Sequence, residues 1–88
     1  MGERARRVRV EVRVELKPGI MDAESESIQK SLRLLDVPEV ESVSTARVYT
    51  LSFEGIPRQK AKALAERAVD RLLANPVIHR VTITTLGD

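Results

Sequence analysis

From Arg7 to Leu16 the chain alternates without interruption: Val8, Val10, Val12, Val14 and Leu16 fall on one side, Arg9, Glu11, Arg13 and Glu15 on the other. A repeat of two sends successive side chains to opposite faces of a pleated strand, so this run predicts one long strand with a dry face and a wet face. The rest of the chain must then supply an apolar layer for the dry face. Lys17-Pro18-Gly19 ends the run, because proline has no N–H for a ladder and glycine admits turn backbone.

Asp22 reads as the N-cap of a helix reaching to about Leu35, with Glu24 and Glu26 in the first turn, where the helix dipole favours acids. Ile28, Leu32 and Leu35 form its expected buried stripe. Pro38 stops any continuation. Val43 to Phe53 is a second β-rich run in which Val43, Thr45, Arg47, Tyr49, Leu51 and Phe53 share one face. Neither face is strongly polar, which allows cover on both sides and a bulge or hairpin near Thr45 to Arg47. Gly55-Ile56-Pro57 breaks that run, and Pro57 to Ala74 predicts a second helix with Ala61, Leu64, Ala65, Ala68, Val69 and Leu72 inward. Its small side chains let it lie close to a sheet. Asn75-Pro76 ends it, asparagine tolerating the left-handed position at a helix end and proline forbidding another turn. Val77 to Leu86 is the third strand.

The order β-α-β-α-β predicts an α+β fold over residues 1–88, one domain: a two-layer sandwich with both helices on one face of a small antiparallel or mixed sheet, half ferredoxin-like. A fourth strand would come from splitting the 43–53 run or from a partner chain. The open sheet face and free edges predict a homo-oligomer, dimer or tetramer. Antiparallel pairing of two copies of the first strand about Val12 would set Arg9 against Glu15 and Glu11 against Arg13, although a ferredoxin-like order places that strand inside the sheet.

Composition excludes much chemistry. The 88 residues contain no cysteine, which removes disulfides, thiolate metal sites and cysteine nucleophiles, and the single histidine, His79, cannot build a multi-histidine metal site. Aromatic residues are 2%, too few for a base-stacking surface. Fifteen basic against 13 acidic side chains leave +2, which selects no nucleic-acid partner. The pairs Glu24 with Glu26 and Glu39 with Glu41 read as solvated surface, since no pocket is indicated that would tune them as acid and base. Gly19 and Gly55 stand in separate loops and make no phosphate cradle. Arg58, Lys60, Lys62, Arg67 and Arg71, interspersed with Glu66 and Asp70, read as a wet helix face that would equally suit an acidic protein partner. No apolar stretch is long enough for a signal core or a membrane span, so the expected location is the cytoplasm, without membrane or nucleic-acid partners.

Three stretches carry a resemblance. Val10-Glu11-Val12-Arg13-Val14-Glu15-Leu16-Lys17-Pro18-Gly19-Ile20-Met21-Asp22, Val40-Glu41-Ser42-Val43 and Leu72-Leu73-Ala74-Asn75-Pro76-Val77-Ile78 together resemble the PurS subunit of phosphoribosylformylglycinamidine synthase, over nearly the whole chain. There are departures. Ala23 and Ser25 stand where the family usually has proline and glycine, Ala46-Arg47 where it has a Gly-Lys pair, and His79 where it often has glutamate. Arg47 keeps the charge but offers a planar fork in place of an ammonium.

The resemblance implies a non-catalytic subunit of an ATP- and glutamine-dependent ligase of purine biosynthesis. A PurQ-like glutaminase would release ammonia, a PurL-like synthetase would use it, and the PurS-like chain would bridge the two and assist ammonia transfer. It implies no catalytic, cofactor-binding or metal residue in this chain, with ATP, magnesium and glutamine used by the partner subunits. Partner contacts are expected at Lys17, Pro18, Gly19, Arg47, Asn75 and Pro76, where element ends expose backbone groups, although turn chemistry alone accounts for Pro18, Gly19, Asn75 and Pro76. Two other readings compete: an ACT-like ligand-sensing homo-oligomer and a nucleic-acid-binding domain.

Overall fold

The computed structural model describes residues 7–86, so positions 1–6 and 87–88 of the expected domain lie outside the described residues. The elements are β1 (Arg7–Leu16), α1 (Ala23–Leu34), β2 (Ala46–Glu54), α2 (Arg58–Ala68), a π-turn (Val69–Leu73) and β3 (His79–Leu86). They build an antiparallel three-stranded sheet in the order β2-β1-β3.

Both ladders keep an unbroken register, from Arg7 opposite Glu54 to Glu15 opposite Ala46, and from Arg9 opposite Leu86 to Leu16 opposite His79. The bulge or hairpin that the sequence allows near Thr45 to Arg47 is not formed within β2, and the run is one strand that starts at Ala46, later than Val43. Pairing of β1 with a copy of itself is ruled out, because β2 and β3 already occupy both of its edges. Its charges are used within the chain instead: Arg7 Nη2 meets Glu54 Oε2 at 2.9 Å, and Arg80 Nε meets Glu15 Oε1 at 3.4 Å.

Topology decides what the two helices can do. β2 and β3 flank β1 and run parallel to each other, so their connection must cross the sheet, and α2 makes that crossing against β1 and β3. β1 and β2 are antiparallel neighbours, so the chain leaves and re-enters at the same end of the sheet. No crossover is needed there, and α1 is an excursion from that end.

The core follows from this. Val8, Val10, Val12 and Val14 lie under Ala61, Ala65 and Val69, with Tyr49, Leu51, Phe53, Val81 and Ile83 packed around them. Alanines at a spacing of four bring the α2 backbone close enough for valine-sized partners; Val10, Val12, Ala61 and Ala65 are all 0% exposed. No apolar residue of α1 belongs to this cluster. The stripe expected to be buried lies outside the core, with Ile28 37% and Leu35 70% exposed and Leu32 half-buried. The radius of gyration is 17.7 Å, against about 12 Å for a compact chain of this length. A 12-residue α1 adds roughly 18 Å beyond the strands, which accounts for the elongation to 59 Å.

Two helix ends depart from simple capping. α1 closes with Val37 N–H donating to the Leu32 carbonyl at 2.8 Å around Asp36 at φ 73°, a Schellman motif with aspartate in the left-handed position usually given to glycine. The second helix widens to π geometry after Ala68, and this turns Leu72, expected inward, to 82% exposure while Leu73 and Ala74 take the core side. Asn75 is not left-handed: Ala74 is already extended, and the Asn75 side-chain oxygen accepts from Val77 N–H at 2.9 Å.

Candidate functional site

The sheet end from which α1 departs gathers four chain segments: the end of β1, the start of β2, the end of the π-turn and the start of β3. Lys17-Pro18-Gly19-Ile20 has the form of a type II turn, in which a proline ring fixes φ at about −65° at the first corner and Gly19 takes the positive φ of 90°, closed by Ile20 N–H on the Lys17 carbonyl at 3.1 Å. Lys17 N–H donates to the Ile78 carbonyl at 2.9 Å. That bond pins the first turn to the second, Asn75 to His79.

The second turn is closed four times, twice by Ile78 N–H to the Asn75 carbonyl at 3.1 Å and Val77 N–H to the Asn75 side-chain oxygen at 2.9 Å, and twice more through His79. His79 N–H donates to the Asn75 carbonyl at 2.8 Å, and Asn75 N–H donates to the ring nitrogen Nδ1 of His79 at 2.8 Å. The imidazole therefore carries its hydrogen on Nε2 when neutral. The signal in the sequence for this role of His79 is its spacing of four from Asn75, which already stands at a helix end.

A third node ties α1 to the sheet. The Asp22 carboxylate accepts from Ser25 N–H at 3.2 Å, from Ser25 Oγ–H at 2.5 Å and from Thr45 Oγ1–H at 2.9 Å. The Ser25 hydroxyl and amide, with Thr45, hold the Asp22 carboxyl below its ordinary value. Thr45, just before β2, was expected only as a strand residue.

Two hollows open beside these turns. One, of about 880 Å³, holds Arg47, Tyr49, Asp22, Glu15 and His79 on its walls; the other, of about 660 Å³, is walled by Lys17, Pro18 and Pro76 over Val69, Ala74 and Val81, with His79 again at its edge. The six residues expected at partner contacts thus share one end of the sheet. They divide there: Arg47 faces the first hollow, Lys17, Pro18 and Pro76 the second, while Gly19 and Asn75 line neither and shape the turns. Arg47 stands opposite Val14 in the ladder, inward of the turns. Glu24, Glu26, Glu39 and Glu41 are exposed, and among the described residues no three His, Asp or Glu side chains converge to hold a metal. Among the same residues no helix is long and apolar enough to cross a membrane. What this end offers is a hydrogen-bonded surface of mixed charge beside apolar side chains.

Comparison with known proteins gives a consistent set. Residues 9–87 match the family model described as PurS, phosphoribosylformylglycinamidine (FGAM) synthase. The phosphoribosylformylglycinamidine synthase subunit PurS of Archaeoglobus fulgidus is 40% identical over 73 residues, 83% of this chain and 91% of the relative. The crystal structure of PurS from Methanocaldococcus jannaschii, one of the subunits of formylglycinamide ribonucleotide amidotransferase, superposes with a TM-score of 0.82 at 30% identity, covering 92% of this chain and 98% of that one. A chain in the structure of PurLQS from Thermotoga maritima has the same fold, with a TM-score of 0.81 at 22% identity over 91% of this chain and 98% of that one.

Proposed function

We propose, from the premise that the chain belongs to the PurS family of FGAM synthase subunits, that it works as the small accessory subunit of that synthase in purine biosynthesis, docking a PurL-like synthetase and a PurQ-like glutaminase and assisting the passage of ammonia between them. The observation that carries this is the family match across residues 9–87, which reaches into every strand and helix rather than one motif. The geometry gives the role a physical basis. Two interlocked turns and two hollows at one sheet end form a surface fixed before any partner arrives, which lowers the ordering cost of association.

A docking piece has a clear task in such an enzyme. Ammonia released to water is protonated or diluted, so the releasing and consuming centres must be held together with solvent kept out. This chain carries no cofactor in that scheme; ATP, magnesium and glutamine act on the partner subunits, in the cytoplasm. The outer edges of β2 and β3 and the open stripe of α1 suit it to work as a homo-oligomer, dimer or tetramer.

Reconstitution tests the proposal. Synthetase and glutaminase chains are assayed with and without this chain, once with glutamine and once with ammonium as nitrogen source. Glutamine-dependent amidine formation should require the chain, while ammonium-dependent formation should depend on it far less. Full glutamine-dependent rate in its absence would overturn the reading.

A further inference from the structure

We propose that the Asn75–His79 turn is a pH-sensitive latch, closed while His79 is neutral and released when its ring takes up a proton. The bond from Asn75 N–H to His79 Nδ1, 2.8 Å, needs a bare ring nitrogen. Protonation puts a hydrogen on Nδ1, so two donors face each other where a donor and an acceptor stood. The Asn75 amide, already outside the helix ladder, then loses its partner. Histidine is the side chain whose charge ordinarily changes between pH 5 and 8, and His79 is the only one in the sequence.

The surroundings give the charged ring somewhere to go. His79 edges one hollow with Glu15, Asp22, Glu24, Arg47 and Tyr49, and the other with Lys17, Asp70 and Arg80. Glu15 is engaged by Arg80 and Asp22 by Ser25 and Thr45, which leaves Glu24 as the carboxylate not so engaged on the first side. The first hollow sets Glu15, Asp22 and Glu24 against Arg47 and the second sets Lys17 and Arg80 against Asp70, so an imidazolium is drawn toward the first and away from Asn75 N–H. The bonds from Ile78 N–H and His79 N–H to the Asn75 carbonyl, from Val77 N–H to the Asn75 side chain and from Lys17 N–H to Ile78 stay available, so release frees one amide of the turn without unzipping β3. What is freed is the Asn75 N–H and the His79 ring, beside Pro76 on the wall of the second hollow.

This inference concerns the chain alone and is tested on it alone, so its outcome is independent of whether the synthase reading stands. In the isotopically labelled protein, the Nδ1 nitrogen shift at pH 8 should be that of an unprotonated ring nitrogen. Between pH 8 and pH 5 the protection of the Asn75 amide against exchange, corrected for intrinsic rates, should fall by about two- to tenfold, the worth of one net hydrogen bond. His79→Glu keeps a carboxylate acceptor across that range and should hold its protection, whereas His79→Phe should lack it at both pH values. A proton on Nδ1 at pH 8, or an equal loss of Asn75 protection in the native chain and His79→Glu, would overturn the proposal. If the variants do not fold, the ring tautomer of the unaltered chain decides.

Discussion

Replacing Val10 with alanine removes two methyl groups from a side chain that is 0% exposed, held between the central strand and the alanines of α2. The lost transfer free energy is about 1.6 kcal/mol at roughly 0.8 per methyl-sized group. The surrounding valines and the α2 backbone cannot close over the gap completely, and the cavity term brings the total to about 2–3 kcal/mol. For a chain of this size that lowers Tm by about 8–20 °C. The companion substitution is Leu34→Ala, at a position that is 87% exposed on α1; it should change stability by less than about 0.5 kcal/mol. Thermal and urea melts of both variants at low micromolar concentration measure the contrast. The two substitutions differ in one respect that matters: Val10 belongs to the α2–β1 core and Leu34 to a helix outside it. Equal costs for the two, or a cost below about 1 kcal/mol for Val10→Ala, would refute the account in which α2 alone roofs the central strand.

Asp36→Gly should stabilise the chain by about 1 kcal/mol, because it removes both the left-handed cost at φ 73° and a negative charge from the C-terminal end of α1; chemical denaturation would show it as a raised midpoint with unchanged slope. Gly19→Ala should cost about 1–2 kcal/mol although nothing lies within 4 Å of the added carbon, since the penalty comes from φ 90° and not from a clash. Acid melts report on Asp22: its folded-state value is lowered, so the unfolded chain takes up the proton first as pH falls. The stability it gives is whole above about pH 4, the ordinary carboxylate value, and is lost as the pH drops below that, and Asp22→Asn should flatten the melting temperature through this acid range.

How much was legible depended on whether the signal was local. The β1 alternation alone fixed a strand with its valines inward, because a period of two leaves no other face for them. The Lys17-Pro18-Gly19 turn was equally local, its conformation set by a proline ring and a glycine φ. Asp22 as an N-cap needed only its own side chain and the first turn of a helix. The candidate contact residues were legible one by one, but not that Lys17 and Ile78 join their two turns, since that bond spans the chain.

What the pattern could not supply was the relation between elements. Ile28, Leu32 and Leu35 have the spacing of a buried face, yet the antiparallel neighbours β1 and β2 carry α1 off the sheet, and a periodicity says nothing about the direction of a connection. Leu72 fits the inward stripe of an α-helix, and one π-turn rotates it outward while Leu73 and Ala74 take the core side. The amino-acid order by itself determined which segments pair as strands, where they turn and which small residues face them, because these depend on neighbours a few positions apart. Only the tertiary structure decided which helix roofs the sheet and which projects, and that His79 locks a turn, because those follow from strand order and from contacts that no local spacing encodes.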